Sequence, residues 1–178
     1  MGQGRSLGRR WIEQAVEASL RRVNADVIDL YQSHWPDDGT PHAETLEAYQ
    51  RLIEAGKVRA IGCSNFNATQ LGAALEAARH HGLPSYQTLQ PEYNLHDRAG
   101  YDGPLRDLAM KEGLGVITYY SLASGFLTGK YRSEADLKQS ARGGAVKKYL
   151  TPRGLRILAA LDEVAARHDA KPGELALA

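Results

Sequence analysis

A chain of 178 residues, 43% hydrophobic and 24% charged, has the composition of a globular protein with a core of its own. A formal net charge of +1 excludes a broad field that would gather nucleic acid or an anionic membrane. One cysteine excludes an intrachain disulfide framework, and no apolar run approaches the roughly 18 residues of a membrane span, so a cytoplasmic protein without a leader at Met1 is expected.

Residues 1–10 are rich in Gly and Arg, lack periodicity and read as a loop. Gly2, Gly4 and Gly8 have the wrong spacing for a dinucleotide fingerprint, and no strand precedes them. From Trp11 to Val23, apolar residues recur at helical spacing: Trp11, Ile12, Ala15, Val16, Leu20 and Val23. The next apolar stretch, 27–31, is β-branched and aromatic and predicts a buried strand. Within two residues it gives way to Ser33, His34, Trp35 and Pro36. Pro36 cannot donate to a sheet ladder and biases Trp35 towards an extended backbone, so the strand ends with an imidazole at its tip. In parallel α/β architectures that end of the strands carries the chemistry, which makes His34 the first candidate.

Thr40 is the expected cap of a helix running to about Ala55. Residues 58–63 predict a second strand, and Asn67 or Thr69 opens an alanine-rich helix to about His81, ended by Gly82. Residues 87–90 form a third strand stopped by Pro91. Residues 104–112 form a helix, and 115–120 a fourth strand. The strand starts at 27, 58, 87 and 115 lie about 30 residues apart, the length that one βα unit fills. Residues 121–151 break this spacing and read as a long polar loop with a basic patch at Lys147 and Lys148, a length that marks functional loops. Pro152 suits the first turn of a helix to about His168, and 171–173 interrupt before a further helical start at 174–178.

If the strands are parallel neighbours, their polar ends converge: Ser33 and His34; Cys63, Ser64 and Asn65; Gln90 and Glu92; Tyr119, Tyr120 and Ser121. Asn and Gln side chains donate and accept at once, as a flat amide ligand requires, and Tyr120 offers a face for stacking. The run from Ser121 to Lys130 combines small residues, hydroxyls and a lysine, which suits an anion. It is not a P-loop, because Gly125 and Gly129 are one residue too close and Tyr131 stands where a metal-binding hydroxyl would be. Asp29 reads as a hydrogen-bonded structural group and Cys63 as a small core residue. His42, His80, His81 and His168 read as solvated, and Tyr131, Arg132, Arg142, Lys147 and Lys148 as solvent-facing.

DLYQSHWP (29–36), LIEAGKVRAIGCSNF (52–66), QPEYNL (90–95) and YYSLASGFLTGKY (119–131) resemble the aldo-keto reductases, in that family's order and from about Ser6 onward. The resemblance implies an α/β fold, a (β/α)8 TIM barrel of which about four of eight parallel strands are present, as a single partial barrel domain over 1–178. It implies reduction of small aldehydes and ketones with NADPH or NADH and no metal. The family's site holds an Asp, a Tyr acid, a Lys and a His, and His34 matches the His. Ser64, Asn65 and Gln90 match the residues that hold the nicotinamide carboxamide, and Tyr120 the aromatic position stacked on the ring. Ser121, Leu122, Ser124, Gly125, Leu127, Thr128 and Lys130 fall in the loop over the pyrophosphate and ribose, whose long form resembles the bacterial and potassium-channel-subunit branches. The family's Asp, Tyr and Lys lie ahead of the segment resembling 6–11, and its 2′-phosphate segment lies after the helix near Glu174. The 178 residues alone are therefore expected to lack the proton donor and to be inactive. A second reading is a non-catalytic half-barrel that binds cofactor or assembles with a partner or a second copy of itself, because the strands at 27–31 and 115–120 would be uncovered.

Overall fold

The computed structural model describes residues 6–140 and 143–178, so residues 1–5 of the loop expected at 1–10 and the solvent-facing reading of Arg142 lie outside the described residues, while Arg9 and Arg10 already belong to the first helix and not to that loop. The chain divides into two compact units, Met1–Pro91 with Asp102–Ile117, and Glu92–Tyr101 with Thr118–Ala178.

The first unit alternates helix and strand: α1 (Arg9–Val23), β1 (Ile28–Ser33), α2 (His42–Glu54), β2 (Val58–Ser64), α3 (Ala68–His81), β3 (Thr88–Gln90), α4 (Pro104–Lys111) and β4 (Gly115–Val116). All strand pairs are parallel, in the order β1-β2-β3-β4. Helix-linked parallel neighbours in sequence order are what the 30-residue spacing requires. α1 buries Ile12, Val16 and Leu20, one stripe at every fourth residue. α3 opens on a capping box: Asn67 Oδ1 accepts from the Gln70 N–H at 2.9 Å, and Gln70 Oε1 accepts from the Asn67 N–H at 3.2 Å.

Two expectations need correction here, whereas Asp29 is hydrogen-bonded as expected, its exposed carboxylate paired with Arg59 on the neighbouring strand. Thr40 does not cap α2; its Oγ1 donates to Asp37 Oδ2 at 2.7 Å, and the helix starts two residues later behind Pro41. The fourth strand stops at Val116 instead of reaching Tyr120. Ile117 N still donates to Leu89 O at 3.0 Å, but the next rung needs an N–H from position 91, and Pro91 has none.

The first core gathers Val16, Leu46, Tyr49, Ile61, Leu71 and Leu89, all almost fully buried. Within it the Ser33 hydroxyl meets the phenols of Tyr49 (2.8 Å) and Tyr86 (2.9 Å), and burial raises both phenol pKa values so that they stay neutral. Cys63 is buried as expected, its thiol pushed up to about 12 by that burial. His80 and His81 are exposed as expected, whereas His42 is half-buried beside Phe66, and burial lowers its pKa.

In the second unit, the stretch read as a polar loop is folded. It forms 3₁₀ turns at Ala123–Thr128, Glu134–Gln139 and Lys147–Tyr149 and a single α-turn, α5 (Gly143–Val146), before α6 (Pro152–Arg167) and α7 (Pro172–Leu175). Phe126, Leu127, Tyr131, Val146, Tyr149 and Leu158 form its core. Tyr131 is thus fully buried, not solvent-facing, because its ring joins this cluster while its hydroxyl lies 2.7 Å from Ser140 Oγ. Arg132 and Lys147 are exposed but paired, with Asp162 and Glu134 respectively. α6 opens as expected, with Pro152 in its first turn and Thr151 Oγ1 accepting from the Gly154 N–H at 3.1 Å. α7 starts at Pro172, two residues before the helical start expected at 174, because proline suits a first turn.

Candidate functional site

The candidate residues fall into two groups, one in each unit. In the first, the ladder sets Ser33 opposite Cys63 and Ser64 opposite Gln90, so β1, β2 and β3 end together. Asn65, just past β2, ties these tips. Its Nδ2 donates to His34 O at 2.8 Å and to Ser64 Oγ at 3.2 Å, and its backbone N–H reaches Gln90 O at 3.3 Å. Ser64 Oγ donates to the same Gln90 carbonyl at 2.7 Å. Asn65 adopts φ 63°, a left-handed conformation that asparagine tolerates better than other L side chains.

These bonds define what the group can do. The Ser64 hydroxyl proton is committed to Gln90 O, so toward a ligand amide Ser64 acts as an acceptor. The His34 side chain is exposed, its ring 5.8 Å from that of Trp35. It borders a cleft of about 240 Å³ lined by Trp11, Tyr31, Ser33, Trp35 and Tyr49 among others. An imidazole at the rim of an aromatic cleft can donate to a carbonyl oxygen while the walls exclude water from the opposite side.

The second group begins at Tyr120. This residue is 56% exposed, and its backbone takes φ 53°, a conformation that costs a bulky residue about 1–2 kcal/mol. Ala123, Ser124 and Gly125 follow with φ of 49°, 57° and 94°, and this turn walls an open cleft of about 420 Å³ with Tyr120, Ser121, Leu122 and Lys130. Two serine hydroxyls and the ammonium of Lys130 give the cleft an anion-binding character. Leu127 and Thr128 do not line it. Leu127 is buried in the core, and Thr128 Oγ1 donates to Gly125 O at 2.7 Å, so both shape the turn from behind.

Sequence reasoning missed the side chains that hold this turn. Asn94 is buried and its Nδ2 donates to Tyr120 O at 3.1 Å. Asp97 accepts from the Tyr149 hydroxyl at 2.7 Å and lies 2.9 Å from His96 Nδ1. Burial acts to raise the Asp97 carboxyl pKa, but hydrogen bonds from His96, Tyr149 and Asn94 outweigh it and leave the pKa lowered. The Asn94–Asp97 spacing is a turn signature that could have flagged this loop, since an asparagine oxygen caps the backbone N–H groups two and three residues on. Among the described residues, no group of three or more His, Cys, Asp or Glu side chains is arranged to hold a metal ion. No helix among them is long and apolar enough to cross a membrane.

The Aldo/keto reductase family matches residues 1–178. The chain is similar to the aldo-keto reductase YhdN of Bacillus subtilis, 37% identical over 160 residues that cover 90% of this chain and 46% of that protein. It is 33% identical over 193 residues to Protein tas of Escherichia coli, covering 97% and 55%. Among solved structures, it matches the glycerol dehydrogenase of Gluconobacter oxydans with a TM-score of 0.81 and 31% identity, over 96% of this chain and 51% of that one. The chain spans about half the length of the relatives it matches. With four helix-linked parallel strands, the fold is that of an α/β partial barrel.

Proposed function

This chain belongs to the aldo/keto reductase family, and from that premise we propose that the complete protein is a cytoplasmic oxidoreductase that reduces small aldehydes or ketones with NADPH or NADH. Residues 1–178 contribute to it as part of one barrel domain. The observation that carries this reading is the binding of three strand tips by Asn65, which brings His34, Ser64, Asn65 and Gln90 to the same end of the sheet.

His34 is the residue that touches the reacting carbonyl. Its ring donates to the carbonyl oxygen and stabilises the negative charge that develops there as the carbon is reduced. Ser64, Asn65 and Gln90 orient the cofactor carboxamide, Ser64 by accepting from its amide. Tyr120 stacks on the nicotinamide ring. Ser121, Leu122, Ser124, Gly125 and Lys130 hold the pyrophosphate, while Leu127 and Thr128 set the shape of that turn. The residues fit the group on chemical grounds, since hydroxyls and an ammonium suit phosphate, and amides suit a carboxamide. When bound, the dihydronicotinamide supplies the hydride. On this reading the family's Asp, Tyr acid and Lys belong to a part of the complete protein ahead of these residues, and turnover is a property of the complete protein.

Replacing His34 by Ala in the complete protein should lower carbonyl reduction by about 10²–10³-fold, the usual cost of losing a donor to a developing oxyanion. Cofactor affinity should hardly move. Unchanged turnover in H34A would remove His34 from the reaction.

A further inference from the structure

A bulky, largely exposed residue held at positive φ needs a reason to stay there. Two donors meet the Tyr120 carbonyl: Ala123 N at 2.7 Å, from within the same turn, and Asn94 Nδ2 at 3.1 Å, from a segment 26 residues away. The neighbouring residue is gripped from the same segment, since Tyr93 N donates to Tyr119 O at 3.3 Å and Glu92 pairs with Tyr119 as an isolated bridge.

The orientation of the Asn94 amide is fixed by its own surroundings. One end accepts from two backbone N–H groups, His96 at 2.9 Å and Asp97 at 2.8 Å, so that end is the oxygen and the NH₂ must face Tyr120. Asp97 is in turn held by the Tyr149 hydroxyl, and Arg153 Nη2 donates to His96 O at 2.8 Å. Tyr149 is buried, with its ring stacked on Phe126 at 5.5 Å. A continuous chain of contacts therefore runs from the second core through Tyr149, Asp97 and Asn94 to the backbone of Tyr120.

We propose that Asn94 is a positioning residue for cofactor binding: its amide locks Tyr120 in the left-handed conformation that presents the phenol ring to the nicotinamide. The inference rests on the reading of Tyr120 as the stacking residue and adds the group that makes stacking preorganised. Without the amide, Tyr120 relaxes to an ordinary backbone conformation, and binding must restore the strained one.

The test is a double-mutant cycle in the complete protein, with NADPH affinity read by nicotinamide fluorescence and 2′-phospho-ADP-ribose as a competitor that lacks the ring. Asn94→Asp keeps the oxygen that caps the loop and removes the NH₂, and with it both the bond to Tyr120 O and a longer one to Asp97 Oδ2 at 3.4 Å. Tyr120→Leu and Asn94→Asp should each weaken NADPH binding on the order of tenfold. Asn94→Asp should add nothing once Tyr120 is Leu, and 2′-phospho-ADP-ribose should bind all four proteins alike. An equal loss from Asn94→Asp in both backgrounds, or a parallel loss for the ring-free competitor, overturns the role of Asn94 and leaves stacking intact. If Tyr120→Leu binds NADPH as well as the parent does, the stacking assignment fails and the inference falls with it. Should Asn94→Asp fail to fold, Tyr149→Phe tests the same chain one link back: it must weaken NADPH binding in the parent and not in the Leu background, and any other pattern counts against the proposal.

Discussion

Asn65 and Tyr120 are both candidate site residues in the left-handed region, at φ 63° and 53°, and the two units hold them by different means. Asn65 sits between parallel strands, its N–H in reach of Gln90 O and its side chain bonded to His34 O, so the ladder that fixes the strands also fixes the residue. Tyr120 has no such frame. Its carbonyl is held by Asn94, Asn94 turns with Asp97, and Asp97 depends on Tyr149. Where a sheet supplies position, one amide completes the arrangement; where none does, a relay of side chains anchored in a core takes over. The first design tolerates local change, and the second should not.

Gly154→Ala is the severest way to break that contrast. In an ordinary helix interior the change gains up to about 1 kcal/mol. Here a Cβ at Gly154 would stand 1.9 Å from Tyr149 O and 3.0 Å from Phe126 Cζ, against backbone that cannot rotate away. A loss of about 3 kcal/mol is expected in denaturant unfolding, because Tyr149 must shift and it anchors the relay. Stabilisation instead would mean that the turns of the second unit yield, and the distinction between the units would fail.

Ser33→Ala is the counterpart in the first unit. It leaves the phenols of Tyr49 and Tyr86 without their shared hydroxyl partner in a buried setting, at a cost of about 1–3 kcal/mol. The ladder from β1 to β2 does not use that hydroxyl, so the strand tip should stay in place. Thermal unfolding should therefore fall, while cofactor affinity in the complete protein is unchanged. A fall in affinity as well would show that the tip depends on side chains after all.

The same contrast decides what could be read from the residues alone. α1 was legible because Ile12, Val16 and Leu20 repeat at the helical period, and α3 because Asn67 and Gln70 stand at capping-box spacing. The fourth strand was overread because its pattern says nothing about the partner, and Pro91 on that partner ends the ladder. The core of the second unit follows no period: Phe126, Leu127, Tyr131, Val146 and Tyr149 are buried by turns whose geometry depends on residues at positive φ. The candidate residues at strand tips were visible as local motifs. The support of Tyr120 was not, since Tyr149 and Asp97 are 52 residues apart in the chain.

The mildest comparison uses one kind of ion pair in two settings. Arg59 and Asp29 pair across β1 and β2 with side chains 70% and 80% exposed, and the strands beneath them are already in register through the ladder. Arg59→Gln should change unfolding stability by only a few tenths of a kcal/mol, as exposed pairs usually do. Arg132 pairs with Asp162 through two contacts of 2.8 Å, with side chains 43% and 46% exposed, and its Nε also donates to Gly129 O at 2.7 Å. It thereby ties the end of the Ala123–Thr128 turn to α6, a connection that no ladder duplicates. Arg132→Gln should cost about 1 kcal/mol, because two bidentate bonds and a carbonyl contact are lost together. The difference between the two variants should shrink in concentrated salt, which screens the charge but leaves the carbonyl bond. Equal effects from the two substitutions would mean that the second unit draws no special support from its side chains, and the relay behind Tyr120 would then lose its rationale.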